Sequence, residues 1–374
     1  MLYQTHVQVH LDNIRFNLEG VRKTVGDHRK ILIAVKANAY GHGAVPISKL
    51  AEAAGMDWLG VATVPEGSEL RQARIGMPIL KFNQTFAEEM HAAIELDLTL
   101  TVFDRENIAA LQAACHEMGK SANVHLKVDT GMGRIGSSPE SAAEIANYIE
   151  SDCPDLHLQG VFTHFPVSDL PDNPFTENQI SMFNSVVSDI NENIGRRVEI
   201  VHAANSGAVL DYPDAWFDMV RPGIMVYGYY PDKQTAHSIP LNPGLSFHTR
   251  VSSIKQVKAA TSISYGRTWQ APVDTHIGTI PVGYADGFNR LFSNQGRVLI
   301  NGKSYPVIGR VCMDQTMLDL GAETDVKVGD EVVLIGHSGD TEITCDEWAD
   351  KLNTITYEVT CQFNSRVKRY YTGE

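Results

Sequence analysis

The side chain whose position most suggests chemistry is Lys36. It follows an apolar run, Ile31–Val35. Short apolar runs rich in β-branched residues are typical of buried strands, so the sequence places this lysine at the carboxyl end of one. In α/β barrels the catalytic residues lie at that end. An amine shielded from water there can form a Schiff base with a carbonyl compound, although an exposed strand-end lysine is the commoner alternative.

Charged and polar residues follow two other strand-like runs. Residues 127–136, KVDTGMGRIG, bring Lys127, Asp129 and Arg134 to the end of one run. A planar guanidinium such as that of Arg134 is suited to binding oxygen groups, whereas a capped loop with a surface ion pair is the alternative. His164 ends the next run and is either a packed core residue or a site residue.

Two further loops indicate an anion site. Residues 202–207, HAANSG, and residues 221–224, RPGI, each follow a strand-like run. Helix N-termini bind phosphate through their backbone N–H groups, and barrels favour the loops after strands 7 and 8 for this purpose. Asn205 and Ser206 alone would indicate an ordinary helix cap. Their pairing with Arg221 and Gly223 favours phosphate binding.

Eight strand-like runs alternate with helical stretches, and these elements must position the residues above. The runs are Ile31–Val35, Trp58–Ala62, Pro78–Phe82, Leu98–Phe103, Val124–Val128, Leu158–Thr163, Val198–His202 and Met219–Arg221. This alternation predicts an α/β fold whose N-terminal part is a (β/α)8 TIM-type barrel. A doubly wound sheet, the alternative, would be expected to carry a Gly-rich phosphate turn after its first strand, and the sequence has none.

After Pro240 the pattern changes to short β-rich segments broken by turns, which predicts a second, mostly-β C-terminal domain. These segments are His248–Val257, His276–Pro281, Arg297–Ile300 and Val326–Ile335, with a helical stretch at Asp346–Asn353. The proline-containing segment Pro231–Pro243 is the predicted linker. A length of 374 residues also favours two domains.

Composition excludes several classes of protein. The net charge of −14 argues against nucleic-acid binding. No apolar run is long enough to cross a membrane, and no secretion signal is visible, so we expect no membrane association. The five cysteines are widely spaced and form no Cys-x-x-Cys pair, so we expect neither a metal site nor a disulfide framework. Reduced thiols in the cytoplasm fit best.

The motifs taken together resemble those of the bacterial alanine racemase family, which uses pyridoxal 5'-phosphate (PLP). The resemblance begins with residues 34–43, AVKANAYGHG, around Lys36. It continues in family order through residues 127–136, 162–165, 202–207, 221–224, 264–267, 309–315 and 356–359. It implies a fold-type III PLP enzyme, with a PLP-binding barrel over residues 11–238. A β-rich domain would comprise residues 239–374 together with an opening strand over residues 1–10.

The resemblance also implies the roles of the site residues. Lys36 would carry PLP and act as one catalytic base, and Tyr265 would be the other. Arg134 would contact the phenolic oxygen of PLP and, with Met313, bind the substrate carboxylate, and Lys127 would be a possible carbamate. The remaining cofactor contacts would come from Tyr40, His164, Asn205, Ser206, Arg221, Gly223, Ile224 and Tyr357, with Arg221 facing the pyridine nitrogen and His164 bonded to a catalytic tyrosine.

The implied activity is interconversion of L-alanine and D-alanine by two-base proton transfer at Cα, an isomerase reaction that supplies D-alanine for peptidoglycan. A cytoplasmic homodimer with shared active sites is implied. A fold-type III amino-acid decarboxylase and a non-catalytic PLP-binding protein are the alternatives. No single residue selects alanine over serine. Residues 166–178 depart from the family pattern and leave the shape of the substrate entrance open.

Overall fold

The computed structural model describes residues 4–171 and 173–373 of the chain. These residues form two compact units. The barrel unit comprises residues 13–39 and 43–242, and the β unit comprises residues 4–12, 40–42 and 243–373. The domain bounds expected from the sequence, 11–238 and 239–374 with the opening strand, stay a prediction. Residues 1–3, 172 and 374 lie outside the described residues.

Strands and helices have the following bounds in chain order. The strands are β1 (His6–His10), β2 (Lys30–Ala34), β3 (Trp58–Val61), β4 (Ile79–Lys81), β5 (Thr99–Val102), β6 (Ala122–Lys127), β7 (Leu156–Phe162), β8 (Ile200–His202), β9 (Met219–Val220), β10 (Leu245–Arg250), β11 (Ser253–Val257), β12 (Ser262–Ile263), β13 (Trp269–Gln270), β14 (Thr275–Ile280), β15 (Arg297–Ile300), β16 (Lys303–Ile308), β17 (Thr316–Gly321), β18 (Glu331–Ser338), β19 (Thr341–Ile343) and β20 (Lys368–Thr372). The helices are α1 (Leu11–Val25), α2 (Lys36–Tyr40), α3 (Ala44–Ala53), α4 (Val64–Gln72), α5 (Ala87–Glu95), α6 (Arg105–Met118), α7 (Pro139–Asp152), α8 (Phe175–Ile194), α9 (Ser206–Asp211), α10 (Cys345–Leu352) and α11 (Thr356–Cys361).

Strands β2 to β9 close into a parallel barrel in chain order. The barrel closes where β9 pairs with β2, with Lys30 opposite Met219 and Ile31 opposite Val220. Strands buried on both faces need apolar side chains at consecutive positions, as in β3, where every residue is buried. Each barrel strand coincides with one of the runs found in the sequence, so the predicted fold class is confirmed.

Local capping fixes where the barrel helices begin and end. Helix α4 begins after Thr63, whose side chain accepts from the Glu66 N–H while the Glu66 side chain accepts from the Thr63 N–H. Helix α6 begins after Asp104, which accepts from the Asn107 N–H, and ends at Gly119 in the left-handed conformation. The left-handed Gly119 ends α6 so that β6 begins three residues later, at Ala122.

The β unit is built on one ten-stranded sheet. Its order is β11-β14-β17-β16-β15-β18-β10-β1-β20, with β19 paired to β18. The opening strand β1 runs antiparallel to β10 and parallel to β20. An aromatic cluster packs beneath this sheet, with ring centroids 4.6 Å apart for Phe292 and Trp348 and 4.8 Å apart for Phe247 and Phe363. Such offset and edge contacts stabilise a core beyond area burial alone.

The sequence prediction of the β unit was incomplete. It omitted β12, β13, β16, β17, β19, β20 and α11, and it joined β10 and β11 into one run. Strand β17 alternates buried and partly exposed residues, and β20 alternates exposed and partly exposed ones, so neither forms an apolar run. Within the part of the chain that the structure describes, no helix combines the length and apolar character needed to cross a bilayer.

Candidate active site

The carboxyl ends of the barrel strands bring together the basic residues predicted from the sequence. Lys127 is the last residue of β6, and Arg221 directly follows β9. Burial lowers the pKa of His164, which follows β7, well below its ordinary value, and the nearby charges of Arg221, Lys127, Arg134 and Lys36 lower it further. One neutral imidazole therefore lies among four basic side chains at this edge of the barrel.

Lys36 is presented by a left-handed turn. In α2 the residues Ala37, Asn38, Ala39 and Tyr40 have φ angles of 51°, 54°, 53° and 52°. L-residues avoid this conformation, which costs about 1–2 kcal/mol for each residue. Strain of this kind persists only where surrounding contacts enforce it, and it concentrates at functional sites.

Hydrogen bonds on both sides hold the turn. The Asn38 side chain accepts from the Ala44 N–H at 2.8 Å, and its backbone oxygen accepts from the Gly43 N–H at 2.8 Å. On the other side the Glu66 carboxylate accepts from the Ala37 N–H at 2.7 Å. The same carboxylate accepts from the Ala62 N–H at 2.7 Å and the Thr63 N–H at 3.2 Å. Glu66 thus ties the residue after Lys36 to the neighbouring loop.

Lys127 lies in an environment that disfavours its charge. Burial lowers the pKa of Lys127 to about 7, aided by Arg134, Arg221 and Lys36, while Asp129 acts in the opposite direction. Its ammonium group lies 5.4 Å from the centre of the Phe162 ring. A substantial fraction of this lysine is therefore a neutral amine near pH 7.

The loop after β6 is ordered around Asp129. Its carboxylate accepts from the N–H groups of Gly131 at 3.0 Å and Gly133 at 3.1 Å. Although burial opposes it, these backbone hydrogen bonds hold the pKa of Asp129 below its ordinary value. The ionised Asp129 fixes the loop that carries Arg134. The Arg134 residue itself is exposed to solvent in the single chain.

Arg221 is buried and is held by neutral acceptors. Its Nη2 donates to the carbonyl oxygens of Thr163 at 2.7 Å and Ala203 at 2.9 Å and lies 3.4 Å from His164 Nδ1. Its Nη1 lies 2.9 Å from His202 Nδ1. Burial lowers the pKa of Arg221 to about 9, so it stays charged at neutral pH. No carboxylate pairs with it among the described residues, and these bonds leave its Nε–H for a further acceptor.

The loops after β8 and β9 are joined through Ser206. Its hydroxyl oxygen accepts from the Gly223 N–H at 2.9 Å and the Met225 N–H at 3.4 Å. Asn205 caps α9 by accepting from the Ala208 N–H at 3.1 Å, which is the ordinary role its sequence context suggested. Ile224 begins a 3₁₀ turn, so its N–H has no acceptor within that turn. The hydroxyl proton of Ser206 and this N–H both suit an anion.

The unusual segment 166–178 leads from β7 into α8. Ser168 donates to the Asn205 side chain at 2.7 Å, and a Cβ at Gly207 would lie 2.6 Å from the Ser168 carbonyl oxygen. Glycine at 207 therefore permits the close approach of this segment to α9. Residue 172 lies outside the described residues.

The remaining predicted site residues lie in the β unit. The Tyr40 and Tyr357 rings are 5.9 Å apart, and burial raises the pKa of Tyr40. Tyr265 and Met313 are 71% and 52% exposed. Their loops are tied together because Ser264 donates to the Arg310 carbonyl oxygen at 2.6 Å. Both side chains therefore project from neighbouring loops into solvent.

Sequence reasoning missed four residues that order the barrel end. They are Glu66, His125, Gln159 and His202, of which both histidines are fully buried. The available signal was a histidine inside each of two apolar strand runs, where unpaired polar groups are costly. Glu66 gave the weaker signal of a helix N3 position, which indicates a cap and no more.

Comparisons with known proteins identify the family of the chain. The family model for the alanine racemase N-terminal domain matches residues 9–231, and that for the C-terminal domain matches residues 244–371. An alanine racemase of Cutibacterium acnes is 46% identical over 372 residues, which cover 99% of this chain and 98% of that protein. The solved alanine racemase of Clostridium difficile 630 superposes with a TM-score of 0.94 at 38% identity, covering 100% of this chain and 96% of that one. A histidine racemase from Leuconostoc mesenteroides subsp. sake superposes with a TM-score of 0.90 at 28% identity, covering 99% and 98%. The chain belongs to the alanine racemase family.

Proposed function

We propose that this protein interconverts L-alanine and D-alanine at a PLP cofactor carried by Lys36. Its family makes it an isomerase and does not favour the decarboxylase or carrier alternatives. The observation that carries the proposal is the grouping of Lys36 with Arg221, a buried cation without a carboxylate partner among the described residues, at the carboxyl edge of the barrel.

The residues present fit PLP. The Ser206 hydroxyl and the Ile224 N–H would bind its phosphate, with Asn205, Gly223, Tyr40 and Tyr357 completing the site. The Arg221 Nε–H would donate to the pyridine nitrogen, and Arg134 to the phenolic oxygen. When bound, PLP supplies an electron-withdrawing ring that makes the substrate Cα proton acidic. A guanidinium of pKa about 9 donates a hydrogen bond without transferring its proton, which keeps the ring nitrogen neutral.

Racemisation requires proton transfer on both faces of Cα, and two bases meet that requirement. Lys36 would remove the Cα proton of the D-enantiomer, and Tyr265 would remove that of the L-enantiomer. After one base has removed a proton from its face of Cα, the other would deliver a proton to the opposite face. His164 Nδ1 faces Arg221 Nη2 at 3.4 Å, and because a guanidinium only donates, the neutral ring would carry its proton on Nε2 and orient a tyrosine oxygen with it.

We infer a homodimer with shared sites. The exposure of Tyr265 and Met313 on the chain supports a role in the partner's site. There the Met313 N–H and Arg134 would bind the substrate carboxylate.

Lys127 would react with carbon dioxide to give a carbamate. Its neutral amine would form an N–C bond to CO2 and release one proton to solvent, leaving an anion beside Arg134 that offsets the surrounding positive charge. In the holoenzyme equilibrated with 13C-bicarbonate, a carbamate carbon resonance should appear and be absent from Lys127→Met. Identical spectra for the two proteins would exclude the modification.

D-Alanine made by this enzyme would supply peptidoglycan synthesis in the cytoplasm. The likeness to a histidine racemase means that the fold admits other substrates, so alanine must be tested against serine and histidine. Incubation of the holoenzyme with L-alanine in D₂O should yield D-alanine and deuterium at Cα. Carbon dioxide release would indicate a decarboxylase, and neither product would indicate a carrier.

A further inference from the structure

Two histidines inside the barrel belong to no step proposed above. His125 in β6 and His202 in β8 are both fully buried. His125 Nδ1 lies 2.8 Å from His202 Nε2, and His125 Nε2 lies 3.4 Å from the Gln159 side-chain oxygen. With the contact from His202 Nδ1 to Arg221, these bonds connect the barrel wall at Gln159 to the arginine.

Arg221 determines which atom carries each proton in this series of hydrogen bonds. A guanidinium only donates, so His202 Nδ1 must accept and its proton must lie on Nε2. That proton is donated to His125 Nδ1, which places the proton of His125 on Nε2. The Gln159 oxygen accepts it. Burial lowers the pKa of His125 to about 3 and that of His202 well below its ordinary value, and the Arg221 charge lowers both further.

The wall of the barrel is shaped to admit this pair. The pairing of β6 with β7 passes from Val124 opposite Leu158 to His125 opposite Gly160, so Gln159 is the extra residue of a β-bulge. A Cβ at Gly160 would lie 2.7 Å from the His125 ring. The bulge turns the Gln159 amide toward His125, and the missing side chain at 160 makes room for the imidazole.

We propose that Gln159 is a positioning residue which, through His125 and His202, holds Arg221 in place as a donor to the cofactor ring. The ring contact rests on the proposed function. Protonation of His125 would reverse the donor and acceptor roles in this series of hydrogen bonds. His125 would then donate to His202, whose proton would move to Nδ1 and face a guanidinium that cannot accept. The Arg221 cation opposes that protonation, and the exposed His157 opposes it only when it carries a proton itself.

The tautomers of His125 and His202 test the proposed series of hydrogen bonds independently of enzyme activity. In holoenzyme labelled with 15N-histidine, long-range 1H–15N spectra should report His125 and His202 as Nε2–H tautomers between about pH 6 and 9, consistent with their lowered pKa values. Signals that disappear in His125→Asn and His202→Asn assign the two rings. A proton on Nδ1 of either ring, or a charged ring at neutral pH, would overturn the proposal and leave the racemase assignment intact.

Substitutions at Gln159 test its effect on racemisation. Glutamate keeps the acceptor but favours protonated His125, so Gln159→Glu should match the parent at alkaline pH. By pH 6 it should lose about tenfold in kcat, roughly the loss of one good hydrogen bond. Methionine removes the acceptor, so Gln159→Met should lose a few-fold at every pH and show both His125 tautomers.

The matched control is His157→Gln on the outer side of the same strand, where His157 lies 2.6 Å from Glu199. It should keep the parent pH profile. If Gln159→Glu and Gln159→Met both show the parent profile, or both lower kcat equally at all pH values as a packing defect would, the positioning role is wrong. The D₂O experiment with alanine would still stand by itself.

Discussion

Two lysines lie at the same end of the barrel, and their surroundings assign them different chemistry. Lys127 ends β6, is buried and has a pKa of about 7, whereas Lys36 lies on an enforced turn and is only partly buried. Both are amines that could attack an aldehyde. Only Lys36 opens a left-handed turn that neighbouring hydrogen bonds enforce.

We expect borohydride reduction of the yellow holoenzyme, followed by peptide mapping, to place the pyridoxyl group on Lys36. Lys127→Met should keep the same labelled peptide, because its proposed role is to hold Arg134. Lys36→Ala should give no stable label. A pyridoxyl group on Lys127 in the parent enzyme would contradict the assignment of the two lysines.

At the scale of elements, the turn α2 depends on helix α4 through Glu66. Glu66→Gln keeps one acceptor oxygen and adds an NH₂ group among three N–H donors. Hydrogen bonds to charged groups contribute about 1.5–3 kcal/mol when well shielded and less here, since Glu66 is partly exposed. We expect kcat to fall several-fold and borohydride labelling of Lys36 to slow.

Glu69→Gln is the matched control because Glu69 is exposed on the same helix. It makes the same chemical change without touching the turn and should behave as the parent. If the two variants have the same kcat and labelling rate, Glu66 does not position Lys36.

Some secondary-structure elements could be predicted from the sequence, and others could not. Most barrel strands were predictable because they are short runs of consecutive buried residues, as in β3, β5 and β8. The turn after Lys36 was not, since nothing in the types of Ala37 and Ala39 favours left-handed backbone. The His125–His202 contact depends on strand register and on a bulge, both of which arise from pairing between distant segments. The roles of the individual site residues follow from the family's motifs, and they stay predictions.

At the scale of the whole molecule, the exposed Tyr265 predicts that two chains build each site. Lys36→Ala and Tyr265→Phe should each be inactive toward L-alanine, because loss of a general base costs roughly 10²–10⁴-fold. Mixed under conditions that exchange subunits, they should recover partial activity, since one site of each heterodimer has both native residues. Confirmed exchange without recovered activity would mean that both bases come from one chain.

Buried histidines make the whole fold sensitive to acid. The pKa is lowered to about 3 in His125 and about 4 in His248, and lies well below its ordinary value in His164 and His202, chiefly through burial. Below the ordinary value of about 6.5 the unfolded chain binds protons that the folded chain does not, so stability falls as pH falls. Each such group contributes up to about 1.4 kcal/mol per pH unit.

Urea unfolding of the holoenzyme at pH 7.5, 6.5, 5.5 and 5.0 should show the stability decreasing below about 6.5, a window above the titration of most carboxyl groups. His248→Gln should reduce the slope, because it removes one of these groups outside the barrel. A stability that is constant from pH 6.5 to 5.0 would contradict the neutral state of the buried rings.

The left-handed turn also shapes how this enzyme can be engineered. Ala37 is exposed, so Ala37→Gly removes no packing. The substitution stabilises the folded state by about 1–2 kcal/mol because it relieves backbone strain. It also stabilises the unfolded state by about 0.4–1 kcal/mol because it adds chain entropy there. We expect a higher melting temperature with a lower kcat; a rise in both would mean that the strain serves no purpose. Selection for heat resistance alone would therefore favour glycines beside Lys36 and gradually remove the rigidity that directs its amine.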